Sequence, residues 1–411
     1  MPYSIRSSCY YGDFSLLFPH TFSLIVILII FLENIVSNLL YRSTVENMLY
    51  VKLVRILIDN YVLSFMQNPI KILISFHIAA ELIEKIRAVE SRIEILYDPI
   101  LLGKPRYRND QHGGAIQRTP GQEAKLQSMM AEAEILLGYV PPGYQSDITK
   151  WFPRLRWNQS PSAGIGWGAK THGWTETDVV FTTASGVHAT PLAEFCMMSM
   201  LMFVKDYFLM AEEKEKVHWA RTCATDLKSK TLAIICLGKV GSEVARLAKC
   251  FGMRVIASKR HVEGVDPSSL NVDALYSWRN LKPMLNEADF VVLICPETEE
   301  TRGLIGKTEI AEMKKGSVLV NISRGSVVDE DAMISALQVG HLGGAALDVF
   351  RSEPLPADSM LWKMPRVIIS PHSASTVDKE NERLTEIFVD NLSRYLMGRP
   401  LRNILDKKLL Y

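Results

Sequence analysis

The stretch Thr231-Leu-Ala-Ile-Ile-Cys236-Leu-Gly238-Lys239-Val240-Gly241 decides how the rest of the chain reads. Its apolar run predicts a buried strand over Thr231–Leu237, and the residues from Gly241 to Phe251 carry helical spacing. The turn between them is a G-x-G-x-x-G pattern with Cys236 in place of the first glycine. In the intact pattern the first glycine makes a tight turn and the second lets the backbone approach a pyrophosphate. The third permits close helix–strand packing, and the helix N-terminus favours phosphate charge. Gly238 and Gly241 keep the last two functions. The β-carbon of Cys236 is expected to crowd the turn and weaken dinucleotide binding.

Working outward, the next strand, Arg254–Ser258, ends in Ser258-Lys259-Arg260. An acidic residue there would bond a ribose 2′-hydroxyl and repel a 2′-phosphate. Two cations and a hydroxyl suit a phosphate instead, through charge-assisted hydrogen bonds. NADPH is therefore expected to be favoured over NADH. Further strands are expected at Phe290–Cys295, Ser317–Ile322, Gly344–Asp348 and Val367–Ser370, with helices between them, as a doubly wound parallel sheet requires.

Upstream, the same alternation begins near Pro69. Lys71–Ser75, Arg92–Leu96, Ile135–Leu137, Leu155–Gln159 and Val179–Thr182 read as strands, and Ala79–Val89 as a helix. Residues 98–118 are rich in Pro, Gly, Arg and Asn and mark a loop. Thr119-Pro-Gly-Gln122 has the spacing of a capping box opening another helix. A Met-rich helix over Pro191–Met210 connects to the nucleotide unit, and Asp378–Met397 reads as a last helix returning to the first unit. The expected organisation is thus α/β. Residues 69–190 and 378–411 form one unit, residues 191–377 the nucleotide-binding unit, and residues 1–68 an extension.

Bulk properties exclude other classes. The 46 basic and 45 acidic side chains leave a formal charge of +1, so nothing draws the chain to nucleic acid. With 48% hydrophobic residues, it can bury a sizeable core. The six cysteines form no C-x-x-C pair and read as buried, reduced thiols of a cytoplasmic setting. No Cys/His spacing suits a metal. Residues 14–32 carry no Asp, Glu, Lys or Arg, a length just able to span a bilayer at about 1.5 Å per residue. Three readings of this stretch stand: a membrane anchor, a segment absent from the mature protein, and an extra helix packed on the globular part. Membrane attachment is expected only through it.

Three residues at strand ends carry candidate chemistry. Arg324 follows the strand ending at Ile322, His372 follows the one ending at Ser370, and Glu353 lies in the loop after Asp348. In a doubly wound fold, ligands bind beyond these carboxyl ends. A guanidinium fixes a substrate carboxylate. An imidazole supplies a proton to a carbonyl oxygen as hydride arrives. A carboxylate beside the imidazole orients it and favours its charged form. Singly, each has an ordinary structural explanation. Their joint occurrence downstream of a dinucleotide motif points to reduction of a 2-keto acid.

At this point the chain, over roughly residues 70–411, resembles the D-isomer-specific 2-hydroxyacid dehydrogenase family. The likeness rests on Ala133-Glu-Ile-Leu136, Ser160-Pro-Ser-Ala-Gly164, Ser185-Gly-Val-His-Ala189 with Leu192-Ala-Glu194, and the nucleotide loop. It rests also on 321–330, 347–356 and 371–376, with family spacing from Arg324 to Glu353 and on to His372. The resemblance implies a Rossmann-like doubly wound domain inserted in a flavodoxin-like substrate domain, NAD(P) as cofactor and a homodimer. It implies that Arg324, Glu353 and His372 form the catalytic trio and that Asp348 holds the nicotinamide carboxamide. Cys295, Pro296 and Thr301 would line the adenosine half of the cofactor. Ser162, Ala163 and Gly164 would grip the substrate carboxylate through backbone N–H groups. Formate dehydrogenase, a related enzyme, has Gln beside its His, so Glu353 argues against that activity. Rival readings are a dinucleotide-sensing, corepressor-like binding protein and an inactive relative. The substrate stays open among glyoxylate, hydroxypyruvate, a phosphorylated hydroxy acid and a branched keto acid. Arg106, Arg108 and Arg118 are possible contacts for a phosphate.

Overall fold

The computed structural model describes residues 68–411 and contains two wholly parallel sheets. The first is built from β1 (Ile70–Ile74), β2 (Ile93–Leu96), β3 (Ile135–Leu137), β4 (Trp157–Gln159) and β5 (Val180–Thr182). Its strand order, β2-β1-β3-β4-β5, is that of a flavodoxin-like sheet. Helices α1 (Ala80–Arg87), α2 (Pro120–Glu132), α3 (Ile148–Trp151) and α4 (Gly166–Thr171) belong to this part. Helix α2 opens on the expected capping box: the Thr119 hydroxyl accepts from the Gln122 N–H and the Gln122 side chain accepts from the Thr119 N–H.

The second sheet has β6 (Thr231–Ile235), β7 (Arg254–Lys259), β8 (Ala274–Ser277), β9 (Phe290–Leu293), β10 (Val318–Asn321), β11 (Gly344–Leu347) and β12 (Val367–Ile369). Their order is β12-β11-β10-β9-β6-β7-β8, a Rossmann arrangement that reverses direction between β6 and β9. Before it come α5 (Ala189–Val204) and α6 (Tyr207–Glu215). Between its strands lie α7 (Lys239–Cys250), α8 (Lys282–Glu287), α9 (Lys307–Glu312) and α10 (Glu330–Gln338). Strand β8 was not expected from sequence. It is a half-buried edge strand with no apolar run to mark it.

Alternation along each strand explains why both faces are covered. Leu232 and Ile234 of β6 point into one core with α5 and α7, while Ala233 and Ile235 enter the opposite core. In β1, Ile72 and Ile74 face one side and Leu73 the other. The final helix α11 (Glu380–Leu396) returns to the first sheet, where Phe388 and Leu392 join the core of Ile72, Ile74 and Trp157.

Two expectations are corrected. The helix expected over Pro191–Met210 is two helices, broken where Asp206 adopts φ 52°. The Val204 carbonyl there bonds the Thr225 N–H instead of continuing a helical ladder. Cysteine burial holds for Cys196 and Cys295, whereas Cys223 and Cys250 are exposed; all are free thiols. The apolar stretch 14–32 lies outside the described residues. Among the described residues no helix is long and apolar enough to cross a membrane.

Candidate active site

The carboxyl ends of both sheets face a cleft of about 860 Å³. Arg324, Glu353 and His372 all line it. His372 sits on the turn after β12 in the left-handed region, φ 51°, and its N–H donates to the Asp348 carbonyl at 2.8 Å. Its Nδ1 lies 2.8 Å from Glu353 Oε2. The other Glu353 oxygen accepts the Phe350 N–H at 3.0 Å, so the carboxylate is held from both ends. Burial works against ionisation of Glu353. The His372 bond, the Phe350 N–H and the charges of His372 and Arg324 outweigh it, and the carboxyl stays below its ordinary range.

Arg324 leaves the end of β10 half-buried. Its Nη1 donates to the Ser323 carbonyl at 2.7 Å and its Nη2 to the Gly164 carbonyl at 3.2 Å. That second bond joins the two halves of the molecule and depends on glycine. A β-carbon on Gly164 would stand 2.2 Å from Nη2. Gly325 is equally constrained, because a β-carbon there would stand 1.9 Å from the Phe350 carbonyl oxygen. The Arg324 and Glu353 loops can approach only because this residue has no side chain.

The other end of the cleft is the turn 236–241. Cys236 adopts φ 71°, so the first position of the pattern does need glycine-like backbone. Cysteine there carries backbone strain, about 1–2 kcal/mol for an L-residue in this region. Gly241 behaves as expected: its β-carbon would press on Ile234 and Leu237 at 3.2 and 3.3 Å. Gly238 precedes α7, and a β-carbon there would meet no protein atom, which leaves the backbone open toward the cleft. An open glycine at a helix N-terminus fits a pyrophosphate.

The sequence supports the same reading. The profile described as D-isomer specific 2-hydroxyacid dehydrogenase, NAD binding domain, matches residues 197–374. A glyoxylate/hydroxypyruvate reductase B of Salmonella newport is 33% identical over 295 residues, 70% of this chain and 89% of that protein. A glyoxylate reductase of Aeropyrum pernix is 30% identical over 294 residues, 69% of this chain and 86% of that protein. The chain belongs to the D-isomer specific 2-hydroxyacid dehydrogenase family. A solved member from Aeromonas salmonicida subsp. salmonicida superposes with a TM-score of 0.68 at 27% identity, covering 83% of this chain and 99% of that one.

Within this dehydrogenase the cleft also collects Gly238, Lys239, Val240, Cys295, Pro296, Asp348, Ser162, Ala163 and Gly164. Lys239 reaches across to the Ser185 carbonyl at 3.2 Å and Asn403 Oδ1 at 2.7 Å. Burial, and then the charge of Arg402, push its ammonium below the usual lysine range. In the 162–164 loop, the Ser162 and Gly164 N–H groups already bond the Ser160 and Ser162 hydroxyls.

Several sequence candidates stand elsewhere. Ser258 is fully buried and its hydroxyl accepts the Cys236 N–H at 3.1 Å, so it supports the turn from beneath. Lys259 turns its Nζ toward the Leu237 carbonyl, 3.5 Å away. Arg260 pairs with Glu300 at 2.6 Å between the rings of Trp278 and Tyr411. Thr301 is buried and its hydroxyl bonds the Thr298 N–H and the Pro296 carbonyl, which shapes the turn after β9.

Sequence reading missed the second role of Asp348. Its Oδ1 accepts from the Ser370 hydroxyl and from the Ser373 and Ala374 N–H groups at 2.7–2.9 Å, fixing the loop that carries His372. It also missed Tyr139, His112 and Tyr411 at the cleft wall. Nothing in their local sequence sets them apart from core or loop residues.

Two outcomes follow from this geometry. Gly164→Ala displaces the guanidinium and is expected to lower kcat/KM by about 10²-fold, the cost of an ångström-scale misplacement; steady-state kinetics with a 2-keto acid measure it. Cys236→Gly relieves the left-handed strain and is expected to raise stability by about 0.5–1 kcal/mol net of unfolded-chain entropy. A lower melting temperature in that variant would contradict the strain assignment.

Proposed function

We propose that this chain reduces a 2-keto acid to the D-2-hydroxy acid with a nicotinamide dinucleotide, His372 acting as general acid. The carrying observation is the His372–Glu353 pair at 2.8 Å, set in one cleft with Arg324 and with the nucleotide turn. The sheet of β6–β12 is the nucleotide-binding half and the sheet of β1–β5 the substrate half. The dinucleotide would be held by Gly238, Lys239 and Val240, with Cys295, Pro296 and Asp348 along its length. When bound, it supplies the hydride.

The remaining chemistry belongs to side chains. Arg324 offers a guanidinium to the substrate carboxylate, assisted by the Ala163 N–H of the 162–164 loop. Glu353 occupies His372 Nδ1, which fixes the ring and leaves Nε2 as the nitrogen that carries the proton to the carbonyl oxygen. Arg324 and the paired imidazolium place positive charge where the carbonyl oxygen becomes negative.

NADPH is the preferred donor in this reading, because Lys259 at the end of β7 and Arg260 just after it have no carboxylate in their own segment. Glu300 competes for Arg260 and would have to yield to a 2′-phosphate. The working unit is a homodimer. The arm at 216–226 is exposed throughout, with Trp219 95% and Val217 93% accessible, a cost that a partner copy would remove.

His372→Ala is expected to lower kcat by about 10²–10⁴, the usual worth of a general acid. Turnover near the parent value overturns the assignment. Glu300→Gln is expected to raise the NADPH/NADH ratio of kcat/KM by about two- to fivefold, the worth of an exposed ion pair. An unmoved ratio places Arg260 away from the 2′-phosphate.

A further inference from the structure

A second cavity, about 690 Å³, lies at the carboxyl end of the first sheet, beneath the loop of residues 98–118. It shares a wall with the catalytic cleft: Gln111, His112, Gly113, Tyr139 and Gly164 line both. Gly164 is the residue whose carbonyl holds Arg324, so a substrate anchored on that guanidinium sits against the shared wall. The partition includes a stacked pair of rings, His112 on Tyr139, with centroids 4.9 Å apart.

The chemistry of the cavity is apolar. Leu73, Leu101, Leu102, Met129, Val140 and Ile165 line it. Several polar groups around it are engaged within the protein. The Ser75 hydroxyl donates to the Tyr139 carbonyl at 2.7 Å, and His77 Nε2 lies 2.8 Å from the Gly103 carbonyl. Arg118 donates to the Leu101 carbonyl at 2.8 Å, and Asp98 pairs with Lys125 at 2.7 Å. Nearby Arg106 is locked on Asp110 by two bonds, of 2.8 and 3.0 Å. A volume in the range of small-molecule sites, lined largely by aliphatic side chains and sharing a wall with the cleft that holds Arg324, has the size and chemistry of a side-chain pocket.

We infer that this cavity receives the substrate's side chain, and that the preferred substrates are 2-keto acids bearing a bulky branched or aromatic apolar group. The inference rests on the reduction proposed above and narrows its substrate class. Compact or phosphorylated 2-keto acids would leave the cavity unfilled or place charge against aliphatic walls.

The test is kcat/KM with NADPH for glyoxylate, 4-methyl-2-oxopentanoate, phenylpyruvate and 3-phosphohydroxypyruvate, on the full chain and two variants. The parent is expected to favour one of the two bulky apolar acids over glyoxylate by at least about tenfold, since a single buried methylene can be worth that much. Gly168 lines this cavity and not the cleft, and a β-carbon there meets no atom within 4 Å. Gly168→Phe is expected to cut the bulky-to-glyoxylate ratio by at least about tenfold by filling the space. Leu102→Trp, from the loop side, gives the same readout independently. Preference for glyoxylate or for the phosphorylated acid in the parent, or a ratio unmoved in both variants, overturns the pocket while leaving the reductase intact. Failure to turn over any of the four acids overturns the reductase reading and the pocket with it.

Discussion

A single buried carboxylate oxygen organises the active cleft. Asp348, at the end of β11, is almost inaccessible to solvent, and burying a charge in that position is costly unless it is fully bonded. Its Oδ1 collects three donors from the 370–374 segment, and its own carbonyl takes the His372 N–H. These bonds hold His372 in a left-handed conformation that an ordinary residue avoids. With the backbone fixed, the ring lands on Glu353, whose far oxygen is tied to the Phe350 N–H only a few residues beyond Asp348. Imidazole, carboxylate and strand end thus form one hydrogen-bonded unit, and the guanidinium is brought to it by two glycines that give up their side chains.

Much of this was legible in the sequence, for identifiable reasons. Parallel strands buried on both faces write themselves as short apolar runs, so β6, β9, β10 and β11 stood out. Thr119 and Gln122 announced a helix start because a capping box uses both side chains. Arg324, Glu353 and His372 could be paired before any coordinates because the chemistry of keto-acid reduction needs those types at strand ends. Edge strand β8 left no trace, since half-buried positions carry no clear period. The break at Asp206 falls on the charged pair Lys205-Asp206 inside an otherwise apolar stretch, and the left-handed Asp206 and the bond between Thr225 and Val204 fix it.

The limits at the site are of another kind. Ser258 and Thr301 carry hydroxyls at positions where a ligand contact is plausible, yet each spends its hydroxyl on a backbone turn. A sequence gives the donor inventory but not who receives the bond. Cys236 shows the converse. A departure from the pattern was visible, but that it places a side-chain-bearing residue at a left-handed backbone angle could be read only from φ.

The return of α11 to the first sheet has a consequence for synthesis. Trp157 of β4 stacks on Phe388 at 5.1 Å, and that core face is closed by the last helix. A growing chain therefore emerges with its first sheet half-covered for the whole time the seven-stranded sheet is being made. The later sheet, continuous in the chain, can close first, while the earlier one waits for residues near 388 to leave the ribosome. Until then, its apolar face is what a chaperone would meet.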